Sequence, residues 1–158
     1  EIMPSLVGSE MCIRDSIWIA TFAGGINYMA HNQGGKEIFV NHRNNLKGYP
    51  IDYCNKARFI TGDDQGHIWI GTTVGALMMD ADFKNPEDVK FRHFLRVPDD
   101  EHSLSNNDVH WIVSTRDKEL FIATFGGGLN KLVSLDESGN ACFKSYTVQD
   151  GLIWLCWI

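Results

Sequence analysis

The sequence predicts an all-β fold made of repeated units, and three observations support this prediction. The string IWIATFAGGIN begins at Ile17, returns as IWIGTTVGALM at Ile68, and returns again as LFIATFGGGLN at Leu120, in steps of 51 and 52 residues. Each unit holds four short runs rich in β-branched and aromatic residues. No segment keeps a 3.6-residue period over three turns. Four strands in about 50 residues are typical of a β-propeller blade.

Each unit divides into four strands in the same order. The first is ARFIT at 57–61 or VHWIV at 109–113, and a polar turn, DDQG or RDKE, follows it. The second is the IWIGT string, whose small residue before Thr marks a close approach of neighbouring backbone. Glycines then close a hairpin, and two further strands follow, GLNKL and FKSY in the third copy. The repeat cores lie near 17–29, 68–80 and 120–132.

The second strand is apolar on both of its faces. Ile17, Trp18 and Ile19 alternate between the two faces of the strand, and none of them is polar. This pattern indicates a sheet packed between two neighbours rather than one with a wet face. We therefore predict an interblade core formed by aromatic residues and closely packed glycines. These are Trp18, Trp69, Trp111, Phe121, Gly25, Gly71, Gly127, Phe39, Phe91 and Phe143.

The later copies depart from the first in ways that predict local differences. The middle copy reads TVGALMM where the others have paired glycines and an Asn, so we expect a wider hairpin there. The third copy has Phe121 in place of Trp, and Lys118-Glu119 in place of the turn glycine.

The two ends of the chain do not follow the repeat. Residues 5–16, SLVGSEMCIRDS, resemble the translation of a sequencing-adaptor remnant, and nothing in residues 1–16 recurs at the period. We therefore predict that 1–16 is a non-native leader; the alternative is a genuine N-terminal arm. Residues 153–158 do not continue the polar loop expected after Asp-Gly-Leu, and our hypothesis for them is a frameshift or another read artefact. The predicted incomplete propeller spans 17–152.

The length of the repeated region predicts an open arc rather than a closed ring. About 140 residues at about 52 per blade make roughly three four-stranded blades, whereas a closed propeller has at least about four. The two end faces of such an arc are uncapped. We expect the isolated chain to oligomerise or precipitate, whereas a monodisperse monomer that melts cooperatively would count against the arc.

Composition excludes several classes of partner. The net charge is −6 and no cluster of Lys and Arg is present, which argues against nucleic acid. The longest apolar run, 152–158, has seven residues, against roughly 20 for a membrane-spanning helix. The four cysteines show no CxxC pairing and no His at ligand spacing. We expect free thiols, although the spacing also allows one disulfide.

No pattern of residues predicts a catalytic, metal or cofactor site. The glycine runs precede a strand and lack the GK[ST] ending of a phosphate-binding loop. The histidines form no HExxH pair, and His110 is expected to be packed or hydrogen-bonded within an inner strand. Asp99-Asp100-Glu101 lacks the glycine-turn pattern of a calcium loop, and no Ser or Cys lies in a nucleophile elbow. We expect no catalytic residue, no metal and no cofactor.

The repeat resembles the two-component regulator propeller family. The family pattern, D-x-x-G-x-[IL]-W-I-G-T-x-x-G-G-[IL]-N followed by F-x-x-Y and D-G-L, is found in pieces along the chain from Ile17 to about Leu152. These pieces are Asp63 to Gly66, Ile68 to Thr72, Gly126 to Asn130, Phe143 to Tyr146, Asp150-Gly151-Leu152 and Ser103 to Asn107. The resemblance covers nearly all of the repeated region.

The resemblance implies a sensor role outside the cytoplasm. In that family, propellers of commonly seven blades form the periplasmic sensor region of membrane histidine kinases, often hybrid ones, chiefly in gut Bacteroidetes. An immunoglobulin-like domain, a membrane helix and the kinase follow, and many members are thought to sense glycan fragments. The chain is thus expected to be a non-catalytic, periplasmic piece of such a sensor. Its expected partners are the remaining blades and, as a candidate ligand, an oligosaccharide.

Two other functions stay open at this stage. Asp64-Gln65-Gly66-His67-Ile68-Trp69 nearly matches the Asp box of sialidase-type propellers, but Arg58, Arg92, Arg96 and Arg116 occupy dissimilar repeat positions and do not predict the arginine cluster of a glycoside hydrolase. A structural protein-interaction propeller is the second alternative. For ligand binding, Tyr49 and Tyr53 are weak candidates in a connecting loop, where packing is the commoner role of Tyr.

Overall fold

The chain folds into three antiparallel sheets, each of four strands. A computed structural model describes residues 10–13, 16–32, 34–136 and 138–153. Blade 1 comprises β1 (Glu10–Ile13), β2 (Ser16–Thr21), β3 (Gly25–His31) and β4 (Glu37–Asn41). Blade 2 comprises β5 (Ala57–Gly62), β6 (His67–Thr72), β7 (Gly75–Asp80) and β8 (Arg92–Phe94). Blade 3 comprises β9 (Val109–Ser114), β10 (Leu120–Thr124), β11 (Gly128–Leu135) and β12 (Ala141–Tyr146).

Every blade is a simple meander, because its strands pair antiparallel in their order along the chain. The all-β class and a count of three blades are therefore confirmed, and none of the sheets closes on itself. The described helices are two 3₁₀ turns, Pro86–Asp88 and Val148–Asp150. Within the described ranges, no helix has the length and apolar character needed to cross a bilayer.

The blades approach one another along their first and second strands. β5 lies beside β9, and β1 lies beside β5, whereas the fourth strands are the outer edges of the sheets. Gly71 shows how tight this approach is, because a Cβ atom there would lie 2.8 Å from Cγ1 of Val109 on β9. The small residue before Thr in the repeat therefore has the role that the sequence predicts. The first strands form the inner side of the arc.

Two hydrophobic cores fill the spaces between consecutive blades. Ile68 and Ile70 of β6 are fully buried against blade 1, while Trp69 between them is fully buried against blade 3. β7 divides in the same way, with Leu77 directed to one core and Met78 to the other. We call the side of each blade that bears the Trp69 position its leading face and the opposite side its trailing face. Blade 2 is buried on both, as its apolar pattern predicts.

The residues predicted for the interblade core differ widely in burial. Trp18, Trp69 and Phe143 are at most 2% exposed, and Phe91 and Phe121 are partly buried. Phe39, which pairs with Met29 on blade 1, is 55% exposed, because no described sheet covers the trailing face of that blade. Trp111 is 59% exposed, because its partner Ala123 places it on the leading face of blade 3, which no described sheet covers. Its ring nevertheless lies 4.3 Å from that of Phe59 on blade 2, so it makes an interblade contact outside the two buried cores.

The expectation of a wider hairpin in blade 2 is wrong. Thr72 pairs with Gly75 and leaves two residues, Thr73 and Val74, in the turn, whereas three residues separate the equivalent pair in blades 1 and 3. Gly75 has φ = 94°, a left-handed conformation that glycine adopts at little cost. A single glycine at the closing position is therefore sufficient, and the missing second glycine shortens the hairpin.

The predicted leader contributes a strand to blade 1. β1 spans Glu10–Ile13 and pairs antiparallel with β2, which begins at Ser16. Strand pairing uses backbone groups that almost any sequence supplies. The pairing of β1 therefore does not test whether 1–16 is foreign, and that origin stays a prediction. Residues 1–9, 14–15 and 154–158, which belong to the two predicted end segments, lie outside the described residues.

Candidate functional site

The hairpins and the loops between blades meet at one end of the arc, which we call the hairpin end. In a four-stranded meander the turn between the second and third strands lies at the same end as the connection to the next blade. The backbone N–H of Gly25 donates to the carbonyl of Asn55 at 2.9 Å, and Gly75 donates in the same way to Asn107 at 2.5 Å. Each hairpin is thereby fixed to the chain that enters the next blade.

A threonine closes each of the three hairpins by the same hydrogen bond. Its side-chain hydroxyl donates to the carbonyl of the closing glycine, at 2.8 to 3.3 Å. The pairs are Thr21 with Gly25, Thr72 with Gly75, and Thr124 with Gly128. Because Thr72 and Thr124 are buried, these hydroxyls need a partner inside the protein. The repeated Thr therefore makes the hairpin end a rigid platform for side chains.

Tyr49, one of the two predicted ligand candidates, is a packing residue. Its side chain is 3% exposed, and its hydroxyl donates to the carbonyl of Cys54 at 2.6 Å. Burial, followed by the nearby Cys54 thiol, raises the pKa of Tyr49 well above its usual value. The ring packs edge-on against Phe91 at 5.3 Å and closes the space over Gly25, where a Cβ atom would collide with it. A ligand has no access to this phenol.

Tyr53, the other candidate, is exposed and stacks on a histidine. Its ring is 51% exposed and lies 5.4 Å from the ring of His93, with 23° between the planes. Nε2 of His93 lies 2.5 Å from the carbonyl oxygen of Val74, so this nitrogen carries the proton and donates. Tyr53 thus presents one face to solvent beside the hairpin of blade 2. The structure places Tyr49 and Tyr53 in one loop but not on one accessible surface.

A second group of side chains occupies the inner side of the hairpin end. We call it the inner rim, and it comprises Phe22, Lys56, Arg58, Asp108, His110 and Phe125. Its charged members lie at or just before the start of β5 and β9, and its two phenylalanines lie in the hairpins of blades 1 and 3. Each of the three blades therefore contributes at least one residue to the inner rim. Ligands of repeat folds commonly bind at such loop ends.

An ion pair between blades lies at the centre of the inner rim. Nη2 of Arg58 lies 3.1 Å from Oδ1 and 3.3 Å from Oδ2 of Asp108, and both side chains are about 30% exposed. Nε2 of His110 lies 3.7 Å from the same carboxylate, too far for a hydrogen bond, and has no hydrogen-bond partner in the described part of the chain. Asp108 therefore lies between the guanidinium of Arg58 and the imidazole of His110.

Aromatic rings border the charged groups on both sides. The guanidinium carbon of Arg58 lies 5.2 Å from the ring centroid of Phe22, and Nζ of Lys56 lies 5.6 Å from it. The imidazole of His110 stacks on Phe125 at 5.5 Å. The two phenylalanines are 39% and 48% exposed. The rim thus combines exposed ring faces with charge, a composition suited to binding a small polar molecule.

Sequence reasoning missed the inner rim, although a signal for it was present. Lys56 and Asp108 occupy equivalent repeat positions 52 residues apart, and so do Arg58 and His110. The repeats align there without a gap, yet each pair changes its charge or its chemistry. A position that varies in charge inside an otherwise regular repeat does not serve the common core. It can serve a surface that only the assembled blades create.

The remaining candidates do not form sites. No described group of three or more His, Cys, Asp or Glu residues could hold a metal ion. Asp100 accepts a hydrogen bond from the backbone N–H of His102 at 2.9 Å, so the acidic loop at 99–101 satisfies its own turn. A cleft of about 770 Å³ lies along this loop and β12, and Leu104 and Cys142 are among its lining residues. It faces away from the inner rim, on the outer strand of blade 3.

Comparisons with known proteins identify the fold. No family model and no curated protein matches the chain. Among solved structures, it is similar to the extracellular domain of a hybrid two-component system from B. thetaiotaomicron, with a TM-score of 0.60 and 21% identity over 92% of this chain and 18% of that one. It is also similar to virginiamycin B lyase from Staphylococcus aureus, with a TM-score of 0.54 and 15% identity over 90% of this chain and 42% of that one.

These likenesses show a propeller-like fold. The chain spans about a fifth of the length of the two-component domain and less than half of the lyase. One of the two proteins is part of a regulator and the other is named as an enzyme. The shared architecture therefore does not determine the function, which must be inferred from the residues at the hairpin end.

Proposed function

We propose that this chain is part of the ligand-sensing propeller of a two-component regulator, located in the periplasm and followed in the parent protein by a histidine kinase. The observation that carries the proposal is the match of 92% of the chain to the extracellular domain of a hybrid two-component system. The repeat pattern from Ile17 to Leu152, which resembles that family, supports it independently. An oligosaccharide is the ligand that the family resemblance suggests.

The remaining blades of the parent chain are the proposed partners of the arc. The leading face of blade 3 carries Trp111, Val113 and Phe121, and no described sheet covers it. On the matching face of blade 2, Trp69 is fully buried and Phe59 is partly buried against blade 3, so a further blade would cover these side chains in the same way. The small share of the two-component domain that the chain spans agrees with a longer parent.

The arc itself is proposed to bind without catalysis. A sialidase-like hydrolase needs arginines that converge on the carboxylate of its substrate. Arg58 lies at the inner rim, Arg92 on β8, Arg96 in the following loop, and Arg116 in the turn at the opposite end of blade 3. These four side chains belong to different surfaces. The Asp63 turn, which resembles an Asp box, binds the indole of Trp69 and braces its own hairpin.

Recovery of the complete gene tests this proposal. We expect a membrane-spanning segment and a histidine-kinase core downstream of the propeller, and a signal peptide upstream. A complete reading frame without a kinase, with an arginine cluster in other blades and hydrolysis of fluorogenic sialosides by the whole protein, would replace the sensor with the enzyme. A complete frame with neither feature would favour an interaction scaffold.

A further inference from the structure

We propose that the inner rim binds a small organic carboxylate that has a flat apolar face. Lys56 and Arg58 would bind the carboxylate, and the exposed ring of Phe125 would pack against the flat face. This inference rests on the proposed ligand-receiving role of the chain and names the chemical class of the ligand. It follows from the placement of two cations and an exposed ring on one rigid surface.

The two cations have donors available to a ligand. An arginine carries five N–H donors; the described contacts of Arg58 with Asp108 use Nη2, and its Nε is buried, so Nη1 is the nitrogen left for a ligand. Lys56 is exposed and pairs with no carboxylate among the described residues; the contact that places its ammonium group is the ring of Phe22. Planar guanidinium and carboxylate groups match each other in geometry. The rim therefore favours an anion with a planar head.

The charge of the rim is local and opposite to that of the whole chain. The chain carries a net charge of −6, so its overall field repels anions at distances that salt does not screen. At the rim, two permanent cations face the single carboxylate of Asp108, which Arg58 already neutralises. Anion binding there must depend on these two side chains rather than on bulk charge.

The group proposed to contact the flat face of the ligand is an exposed ring. Phe125 is 48% exposed although one of its faces is stacked against His110. Its backbone N–H donates to the carbonyl of Asp108 at 2.8 Å, which fixes the hairpin to the rim. A series of contacts links the ring to the cations: Arg58 lies 3.1 Å from Asp108, His110 lies 3.7 Å from Asp108, and the ring of His110 lies 5.5 Å from that of Phe125. The proposal places the carboxylate of the ligand at the cations and its flat face at this ring.

Two kinds of molecule share this chemistry, aromatic acids and sugar acids, and matched pairs of compounds separate them. Saturation-transfer NMR with the full chain would compare benzoate with benzyl alcohol, and glucuronate with glucose, with acetate as a carboxylate that lacks a ring. We expect at least one ring acid to bind about tenfold more tightly than its neutral partner and than acetate, which corresponds to roughly 1.4 kcal/mol. The acid that binds shows whether the ligand is an aromatic acid or a sugar acid.

Variants assign this binding to the rim. The double change Lys56→Gln with Arg58→Gln is expected to weaken binding by about tenfold or more, since it removes both charge-assisted contacts. The matched control, Arg116→Gln with Lys118→Gln, removes two charges at the opposite end of blade 3 and should leave binding within about twofold. Lys56→Gln alone breaks no described ion pair, so it should weaken binding while the circular dichroism spectrum stays unchanged.

Three results would overturn the inference: no binding by either ring acid, equal binding of the neutral partners, or equal losses in the rim and control variants. Equal binding of neutral and charged sugars would leave the sensor proposal standing and remove only the carboxylate. Conversely, a parent gene without a kinase, together with rim-dependent binding of a ring acid, would reject the sensor proposal and keep the site.

Discussion

The leading faces of blades 2 and 3 are formed by equivalent strands that carry different side chains. On blade 2, Trp69 and its neighbour Met78 are fully buried beneath blade 3. On blade 3 the equivalent positions hold Phe121, which is partly buried, and Lys131, whose ammonium lies 5.8 Å from the Phe121 ring and pairs with Glu119. The covered face presents Trp and Met side chains to blade 3. On the uncovered face, the charged side chain of Lys131 shields the Phe121 ring from solvent.

The turns that precede Trp69 and Phe121 also differ, because the turn of the covered face contains more side-chain hydrogen bonds. In blade 2, the Asp63 carboxylate accepts hydrogen bonds from the Trp69 indole at 2.8 Å and from His67 and Gln65. The equivalent residue of blade 3 is Thr115, whose hydroxyl accepts from the backbone of Glu119 at 3.2 Å. The blade with two covered faces therefore has the stronger brace. The repeat conserves strand pairing, and its side chains follow the burial of each face.

The largest expected difference between the two faces concerns Trp69 and Phe121. Trp69→Ala should lower the free energy of unfolding by about 3–5 kcal/mol, because it opens a large cavity between two blades and leaves the Asp63 carboxylate with one donor fewer. Phe121→Ala should cost much less, about 1 kcal/mol, because solvent already reaches that ring. Urea denaturation of both variants measures the difference.

A matched pair of conservative changes controls for the alanine substitutions. Trp69→Phe gives blade 2 the residue of blade 3, and Phe121→Trp does the reverse. The first should still destabilise, since Phe leaves part of the volume empty, and the second should be near neutral. Equal losses from Trp69→Ala and Phe121→Ala would contradict the distinction between a covered and an uncovered face.

The second prediction concerns the charge of the Asp63 brace. Burial alone would raise the pKa of Asp63, but the hydrogen bonds from Trp69 and His67 outweigh it, and the net pKa lies below the usual value. The ionised form thus stabilises the fold fully above the unfolded pKa of about 3.9, and this contribution is lost as the pH falls through the folded pKa. Asp63→Asn should cost roughly 2–3 kcal/mol at pH 7.

The pH dependence distinguishes the brace from a general effect of the substitution. Between pH 5 and pH 2, Asp63→Asn should lose less stability than the unsubstituted chain, because the titrating group is absent. Asp117→Asn, which changes an exposed residue in the equivalent turn of blade 3, is the control for the loss of one carboxylate. Parallel profiles for Asp63→Asn and the unsubstituted chain would show that the carboxylate charge does not contribute.

The sequence predicted the architecture because the repeat records burial directly. The alternation at Ile68, Trp69 and Ile70 specifies two apolar faces, and the structure divides these three residues between two cores. Alternation cannot show which blade has a neighbour, however. Trp111 has the character of a core residue and is nevertheless 59% exposed. Its burial depends on a surface that strand periodicity does not describe.

The hairpin and the inner rim escaped prediction for different physical reasons. The hairpin of blade 2 was misjudged because the number of glycines was taken as the signal, whereas turn length depends on which residue closes the pair, here Gly75. The inner rim combines side chains from separate repeats, so its charges converge only after the blades assemble. Lys56 and Asp108 show equivalent positions with opposite charge, and that contrast was the available clue.

The third prediction tests the close approach of the second strand of blade 2 to the first strand of blade 3. Gly71→Ala places a methyl group 2.8 Å from Val109, and the blades must separate slightly to accept it. We expect a loss of about 1–2 kcal/mol in the free energy of unfolding. Ala123, the equivalent residue of blade 3, already carries that methyl group on the uncovered face. Ala123→Gly should cost about 0.5–1 kcal/mol, through backbone entropy alone, and a larger loss there would contradict the comparison.

The smallest expected effect on folding comes from giving blade 3 the residue that blade 2 uses. Lys131→Met should change the urea midpoint little, because Lys131 is at the surface and its pair with Glu119 is accessible to solvent. It should instead increase self-association, since it removes the charge that shields Phe121 beside exposed Trp111. Analytical ultracentrifugation against Lys144→Met, a matched change on β12, measures this effect. A shift toward larger species in Lys131→Met alone is expected, because Lys131 lies where the covered face of blade 2 buries Met78. Equal sedimentation of both variants would mean that this face is already shielded by other groups.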